Sequence, residues 1–370
     1  MTFAQGADVA LPTIIAGFIL AALISMVVTP RVRTFVRRRG IVDRPDPRRV
    51  HRRTLPRGGG VAVVVAFTLV GGAVAILGTA VPGMAGSRPI SSNEGLGLFV
   101  GGLAAAAIGA LDDLFDLRAR WQLLGQLIVA GVAVFFGITV KFIDNPFAPG
   151  NVVFPGPLPI VFTVIWIVGM INSINFIDGL DGLSSGIGFI AAVTLGVLSL
   201  TVQVGPLGQP FIAVLCFILA GALLGFLRWN FHPAVIFQGT SGVMFLGFTL
   251  AILAILGTAK VVVALLVLGV PIIDTFWVIV RRISRRRSPF SPDRGHIHHR
   301  LLDLGLSHRS TVLLIYAICA TLGAVSLLAS EEAVLYAFAA AVVAFGLVIF
   351  LIARDPPEPL DATTYDSGDA

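Results

Sequence analysis

Cysteine is nearly absent: Cys216 and Cys319 both sit inside apolar runs, which leaves neither a disulfide framework nor a thiolate metal centre. Lysine is scarcer still for its class, since Lys141 and Lys260 are the only lysines among 26 basic residues. We read that as compositional bias without mechanism. Charge of either sign is thin, at 12% of residues, where a soluble domain carries about 25%; an ordinary soluble domain is excluded. No short basic segment with a cleavage site precedes the first apolar run, so that run is read as a retained span.

What the chain has instead is apolar length. Of 370 residues 56% are hydrophobic, with a mean hydropathy of +0.94. A crossing needs about 20 mainly apolar residues. Eleven runs qualify, at about 11–30, 59–79, 95–111, 122–140, 157–174, 183–202, 210–227, 235–256, 260–280, 310–329 and 333–353. The expected fold is therefore all-α: a polytopic integral membrane protein of about eleven transmembrane helices in one domain, residues 1–354. An acidic tail at 355–370, rich in Pro, Ser and Thr, is expected to be disordered. With the amino terminus outside, the inside loops carry 23 of the 26 Arg and Lys. That asymmetry is a positive-inside signal and places the carboxyl terminus in the cytoplasm. All six His fall on the same side, as do Asp112, Asp113, Asp116, Asp178 and Asp181. A cytoplasm-facing site in the cell membrane follows as an expectation; nucleic acid is not among the expected partners.

The densest polar stretch is N-S-I-N-F-I-D-G-L-D-G-L at 172–183. Asn175, Asp178 and Asp181 recur at three-residue spacing, which puts them roughly on one side of a helical or turn-like backbone. Their oxygens suit a hard divalent cation; the blander alternative is a polar loop with Asx turns. L-D-D-L-F-D-L-R-A-R-W at 111–121 sets Asp112, Asp113 and Asp116 at a membrane boundary. Adjacent carboxylates there are costly unless a cation joins them, or unless Arg118 and Arg120 pair with them. The first inside loop, 37–60, holds Asp43, His51 and P-R-G-G-G. Its Arg suit topology and anionic headgroups, while Gly58, Gly59 and Gly60 open the second helix with N–H groups free to hold an anion.

Further along, F-L-R-W-N-F-H-P-A at 226–234 places Asn230 and His232 in an apolar setting, and Q-G-T-S-G-V-M-F-L-G-F at 238–248 reads as a plausible phosphate cradle. Asp274 lies within the ninth run; an acid there is a functional candidate, or a partner for Arg281 or Arg282. In H-I-H-H-R-L at 296–301, His296, His298, His299 and Arg300 form a cationic cluster better suited to phosphate than to zinc.

These four motifs in order, D-D-L-F-D at 112–116, N-S-I-N-F-I-D-G-L-D-G-L, W-N-F-H-P-A and H-I-H-H-R-L, resemble the polyprenyl-phosphate N-acetylhexosamine-1-phosphate transferases over about residues 30 to 310. The D-D-x-x-D and H-x-H-H-R forms look like the N-acetylglucosamine-type branch. The resemblance implies transfer of an N-acetylhexosamine-1-phosphate from a UDP-N-acetylhexosamine to polyprenyl phosphate within membrane lipid, with Mg²⁺ as cofactor, Mn²⁺ as an alternative, and room for a homodimer. It implies that Asp112 and Asp113 activate the lipid phosphate and that Asn175 helps hold metal and diphosphate. Asp178 and Asp181 would serve the uridine pocket and the metal region. Asn172, Asp116, Asn230, His296, His298, His299 and Arg300 would be substrate contacts. One departure stands out. The family pattern before F-L-G-F is G-D-x-G-S, whose Asp is a metal ligand; here Thr240 takes that place. Two rival readings remain open: a catalytically weak relative that binds polyprenyl phosphate or nucleotide sugar, and a lipid-linked sugar transporter.

Overall fold

Glycine and proline breaks between the apolar runs are where helices end, and the helices fill the runs. The computed structural model describes residues 7–43, 54–77, 92–144, 151–201, 209–257, 261–284, 286, 296–328 and 331–354. The expectations for His51, Arg88, Lys260 and the tail at 355–370 lie outside the described residues. The helices are α1 (Ala7–Arg38), α2 (Val61–Leu77), α3 (Ser92–Phe115), α4 (Ala119–Phe135), α5 (Leu158–Ile177), α6 (Leu183–Ser199) and α7 (Pro210–Asn230). They continue as α8 (Gly239–Leu256), α9 (Val261–Val267), α10 (Gly269–Ser284), α11 (Ile297–Asp303), α12 (His308–Leu328) and α13 (Glu331–Arg354). Among the described residues each of the eleven apolar runs carries a helix, and the ninth carries two, α9 and α10. Among the described residues six helices are long and apolar enough to cross a membrane, and α2, α4 and α6 are shorter apolar helices. The chain is thus an all-α membrane protein. Two short antiparallel hairpins depart from pure helix: β1 (Val42–Asp43) with β2 (Leu55–Pro56), and β3 (Phe142–Asp144) with β4 (Asn151–Val153).

A helix apolar all round is a core helix, and α8 is the clearest case, with 83% of its most apolar window buried against 22% for α1. Two neighbours reach α8 through glycines, and a third through a tryptophan. A Cβ on Gly60, just before α2, would stand 2.2 Å from Gly242 Cα, and one on Gly109 of α3 would stand 2.4 Å from the Thr240 carbonyl. On the α5 side Trp166 Nε1 donates to the Ala251 carbonyl at 3.1 Å. The first turn of α8 is therefore clamped between α2 and α3. Gly109→Ala must push α3 off α8, and overpacking of this kind costs about 1–3 kcal/mol. We expect a lower apparent melting temperature in detergent together with lost turnover. An unchanged melting curve would show that α3 and α8 do not approach this closely.

Candidate active site

The connections that carry the chemistry are α1–α2, α3–α4, α5–α6, α7–α8 and the stretch from α10 through α11 to α12. In an alternating bundle these are every second connection, and their side chains meet at one end. The meeting starts at α8, whose leading N–H groups have no intrahelical acceptor. Asp113, at the end of α3 and buried, supplies it: Oδ1 accepts from Thr240 N at 2.9 Å and Oδ2 from Ser241 N at 3.1 Å. This corrects the expected phosphate cradle at 238–248, because a protein carboxylate already sits in it. The expected anion site at Gly58–Gly60 is corrected in the same way. Gly59 N donates to Phe237 O and Gly60 N to Gln238 O, at 2.9 and 2.8 Å.

Asp112 is buried beside Asp113. Its Oδ1 accepts from Leu117 N at 3.0 Å and Gln122 Nε2 at 2.7 Å, and its Oδ2 from the Thr240 hydroxyl at 2.7 Å. The basic partner of these acids is Arg57, which bonds the Asp113 carbonyl at 2.7 Å and Asp116 Oδ1 at 2.6 Å. Arg118 and Arg120, the partners considered from sequence, do not make these bonds; Arg120 lies over the Trp121 ring. Asp116 itself is largely exposed.

From Asp113 the site continues to Asp178, between α5 and α6. Ser184 Oγ bonds Asp178 Oδ1 and lies 2.7 Å from Gln238 Oε1. Ser185 Oγ lies 2.8 Å from the same Gln238 atom and 2.9 Å from Asn230 Oδ1. Each hydroxyl has one proton. The network closes when the Gln238 amide presents its Nε2 to both hydroxyls, freeing one proton for Asp178 and one for Asn230. Although part of Asp178 reaches the surface, desolvation around its carboxyl, aided by the charges of Asp113 and Asp181, pushes its pKa up to about 7. Between the ordinary value of 3.8 and about 7 the folded protein holds a proton that the unfolded chain has released. Stability should fall as pH rises through that window. Asp178→Asn, which mimics the protonated acid, should flatten the fall. Melting curves at pH 5 and pH 8 without divalent cations test this, and equal slopes in both proteins would show that Asp178 ionises freely.

Asp181 faces the other way. Its Oδ2 meets His232 Nδ1 at 2.7 Å and accepts from Ala234 N at 3.0 Å. His232 in turn stacks on His308 with ring centroids 4.1 Å apart. Asp274, nearly fully buried, does not make the alternative pairing with Arg281 or Arg282. Its Oδ2 bonds His296 Nδ1 at 2.7 Å and its Oδ1 accepts from Ile297 N at 2.9 Å, capping α11. That cap seats His298 against Gly179, where a Cβ would lie 2.3 Å from His298 Nε2. His298 is 1% exposed and, among the described residues, neither of its ring nitrogens has a hydrogen-bond partner. Burial first, and then the charges of His299, His296 and His308, hold its pKa well below the usual imidazole range. The expected cationic cluster is therefore corrected at its centre: His298 is neutral at pH 7, one nitrogen a donor and the other an acceptor, and both are unused.

Two residues expected as substrate contacts also brace the architecture. Asn172 Nδ2 donates to Gln126 Oε1 at 2.7 Å and ties α5 to α4. Asn230 is 2% exposed and its Nδ2 donates to Ile236 O at 3.0 Å, holding the α7–α8 turn. Asn175 stands partly exposed on the last turn of α5, one turn before Asp178, and His299 and Arg300 lie partly exposed on α11 beside His298. Gln238, Ser184, Ser185, Gln122 and His308 belong to the site and were missed. Gln238 opens the stretch read as a phosphate cradle, and Ser184 and Ser185 follow directly on the 172–183 motif, while Gln122 and His308 are single polar residues with no motif of their own.

The model of Glycosyl transferase family 4 matches residues 96–258. A Bacillus subtilis (strain 168) protein named "Probable undecaprenyl-phosphate N-acetylglucosaminyl 1-phosphate transferase" is 36% identical over 82% of this chain and 82% of its own length. The chain belongs to the polyprenyl-phosphate N-acetylglucosamine-1-phosphate transferase family. Two further members are the decaprenyl-phosphate N-acetylglucosaminephosphotransferase of Mycolicibacterium smegmatis (strain ATCC 700084 / mc(2)155), 35% identical over 84% of this chain and 80% of its own, and a Thermotoga maritima undecaprenyl-phosphate alpha-N-acetylglucosaminyl 1-phosphate transferase, 33% identical over 75% and 78%.

Proposed function

We propose that the chain transfers N-acetylglucosamine-1-phosphate from a UDP-sugar to polyprenyl phosphate, releasing UMP and starting a lipid-linked cell-wall or surface glycan. The observation that carries this is the meeting of Asp112, Asp113 and Asp178 with the unpartnered His298 at one end of an apolar bundle. An acceptor phosphate oxygen attacks the sugar-bearing phosphorus of the UDP-sugar. A new P–O bond forms, the bond to UMP breaks, and UMP leaves with the electron pair. Such a transfer needs positioning and neutralised charge more than covalent chemistry from the protein. His298 offers a donor and an acceptor to the nucleotide or diphosphate, and the apolar helices around the site admit the polyprenyl chain.

The site fits a hard divalent cation. Its donors are oxygens, the ligands such a cation prefers, and Asp178, whose pKa is raised first by burial and then by the charges of Asp113 and Asp181, is a carboxyl that a cation would favour in its ionised form. Asp178, with Asn175 one turn before it, would hold Mg²⁺ or Mn²⁺ jointly with the substrate diphosphate; bound there, the cation supplies charge neutralisation for the phosphoryl group. Thr240 offers only a neutral hydroxyl, already donated to Asp112. That observation keeps a second reading alive, a substrate-binding relative of low activity. Purified protein with polyprenyl phosphate and a panel of UDP-sugars separates the two: UMP release supports transfer, and binding without release supports the second reading.

The reading includes eleven spans, the amino terminus outside, and the site on the cytoplasmic face of the cell membrane, supported by the 23 of 26 basic residues on that side. Ser307 and Lys141 are both exposed, and the native Cys216 and Cys319 are buried. In intact cells an impermeant thiol reagent should label Lys141→Cys and spare Ser307→Cys. The reverse pattern overturns the orientation.

A further inference from the structure

Away from the acids, the pair α1 and α7 shows a second feature that could hold a ligand. The two helices touch backbone to backbone: α7 carries G-A-L-L-G at 221–225, and a Cβ on Gly225 would lie 2.1 Å from the Ala22 carbonyl. About two turns further along α1 stands Pro30, which has no N–H and so deprives the Met26 carbonyl of its usual helical donor. Trp229 fills the gap, its Nε1 donating to Met26 O at 3.0 Å. Then the partnership ends. Helix α7 stops at Asn230 while α1 runs on to Arg38, and an open groove of about 820 Å³ remains beside the overhang.

The groove is amphipathic in a particular way. Met26, Phe35 and Trp229 give it apolar walls, and Arg31, Arg38 and Arg228 line it with charge. Among the described residues none of these three Arg is ion-paired: Arg31 bonds only the Val27 carbonyl, at 2.8 Å, and Arg228 lies over the Trp229 ring. Towards the middle of the helices, Leu20 and Leu23 of α1 and Leu224 of α7 are exposed. They continue the groove as an apolar track at helical spacing.

We propose that this groove binds an anionic phospholipid, with its phosphate on Arg31, Arg38 and Arg228 and its acyl chains along Leu20, Leu23 and Leu224. Three uncompensated guanidinium groups call for an anion, and guanidinium forks match phosphate oxygens. The apolar walls and track call for hydrocarbon on the same ligand. The end of a crossing helix is where headgroups lie. The inference rests on the membrane embedding of the chain and not on its transfer reaction.

The test is native mass spectrometry of the full chain released from nanodiscs of phosphatidylglycerol and phosphatidylcholine in equal parts. The wild type should retain phosphatidylglycerol preferentially. Each Arg contributes roughly fivefold at such a surface, so Arg31→Gln with Arg228→Gln should lower that preference by about twenty-five-fold. The double Lys variant should keep most of it. Added polyprenyl phosphate should not displace the retained phospholipid. If the Gln variant does not fold, a salt titration of the wild type replaces it, and the preference should fall as salt rises. Equal retention of both phospholipids, a preference indifferent to the Arg and to salt, or displacement by polyprenyl phosphate would each overturn the proposal. UMP release, measured in parallel, judges the transferase reading separately.

Discussion

Asp113→Asn should lower UMP release by at least about a hundredfold, the lower range for a lost acid–base group. The variant removes more than a charge. Both Asp113 oxygens accept N–H groups from the first turn of α8, Thr240 N and Ser241 N. An amide has one acceptor oxygen, so one of those N–H groups would face an NH₂ instead. A buried donor left without a partner costs about 1–3 kcal/mol, and the favourable placement of negative charge at a helix start is lost as well. Because Thr240 and Gln238 flank that turn, the contacts from Asp112 to Thr240 and from Ser184 to Gln238 should shift with it. Asp112→Asn is the cleaner companion. The Asp112 oxygen that faces Thr240 meets a hydroxyl, which can turn to accept from an amide instead of donating. Its architecture should survive, and its loss of turnover should also reach about a hundredfold, reporting the missing charge alone. Near-normal turnover in both variants would remove the acid pair from the reaction.

The difference between these two neighbours marks what sequence could and could not reveal. That Asp112 and Asp113 belong to a polar centre is legible, because two carboxylates at the end of an apolar run are costly without a reason. The helices are legible on the same footing, since each apolar run between Gly or Pro breaks had to satisfy its own backbone. What each carboxylate touches is not legible. The partner of Asp116 is Arg57, 59 positions back in a loop whose many Arg look alike. His308 reaches His232 across 76 positions with no motif around it. The readings of Gly58–Gly60 and of 238–248 as anion cradles failed for one physical reason. Sequence shows that a helix start has spare N–H groups, and it does not show whether the protein's own acceptors have already taken them. The same blindness hid the role of Asp274. As a buried acid it was marked as functional or paired to the nearest Arg, whereas it caps α11 and holds His296.

Thr240→Asp should strengthen binding of Mg²⁺ or Mn²⁺ to the substrate-free protein by at least about tenfold, since affinity at oxygen sites follows ligand charge. The side chain at 240 is already aimed at the acids, with its hydroxyl donating to Asp112 Oδ2 at 2.7 Å. A carboxylate there replaces a hydrogen bond with two like charges in contact, a pair that is unfavourable until a cation joins it. The same variant should therefore melt lower than the wild type in a chelator and recover on addition of Mg²⁺. On the proposed reading the wild type would hold the cation through Asp178, Asn175 and the substrate diphosphate, so its binding should be weak alone and stronger with the UDP-sugar present. Activity is a poor readout, because the site has settled around a hydroxyl and the extra charge can slow product release as readily as it speeds transfer. Calorimetric titration of the cation into both proteins without substrate is decisive. Equal affinities, with no rescue of melting by Mg²⁺, would mean that position 240 does not face the cation at all.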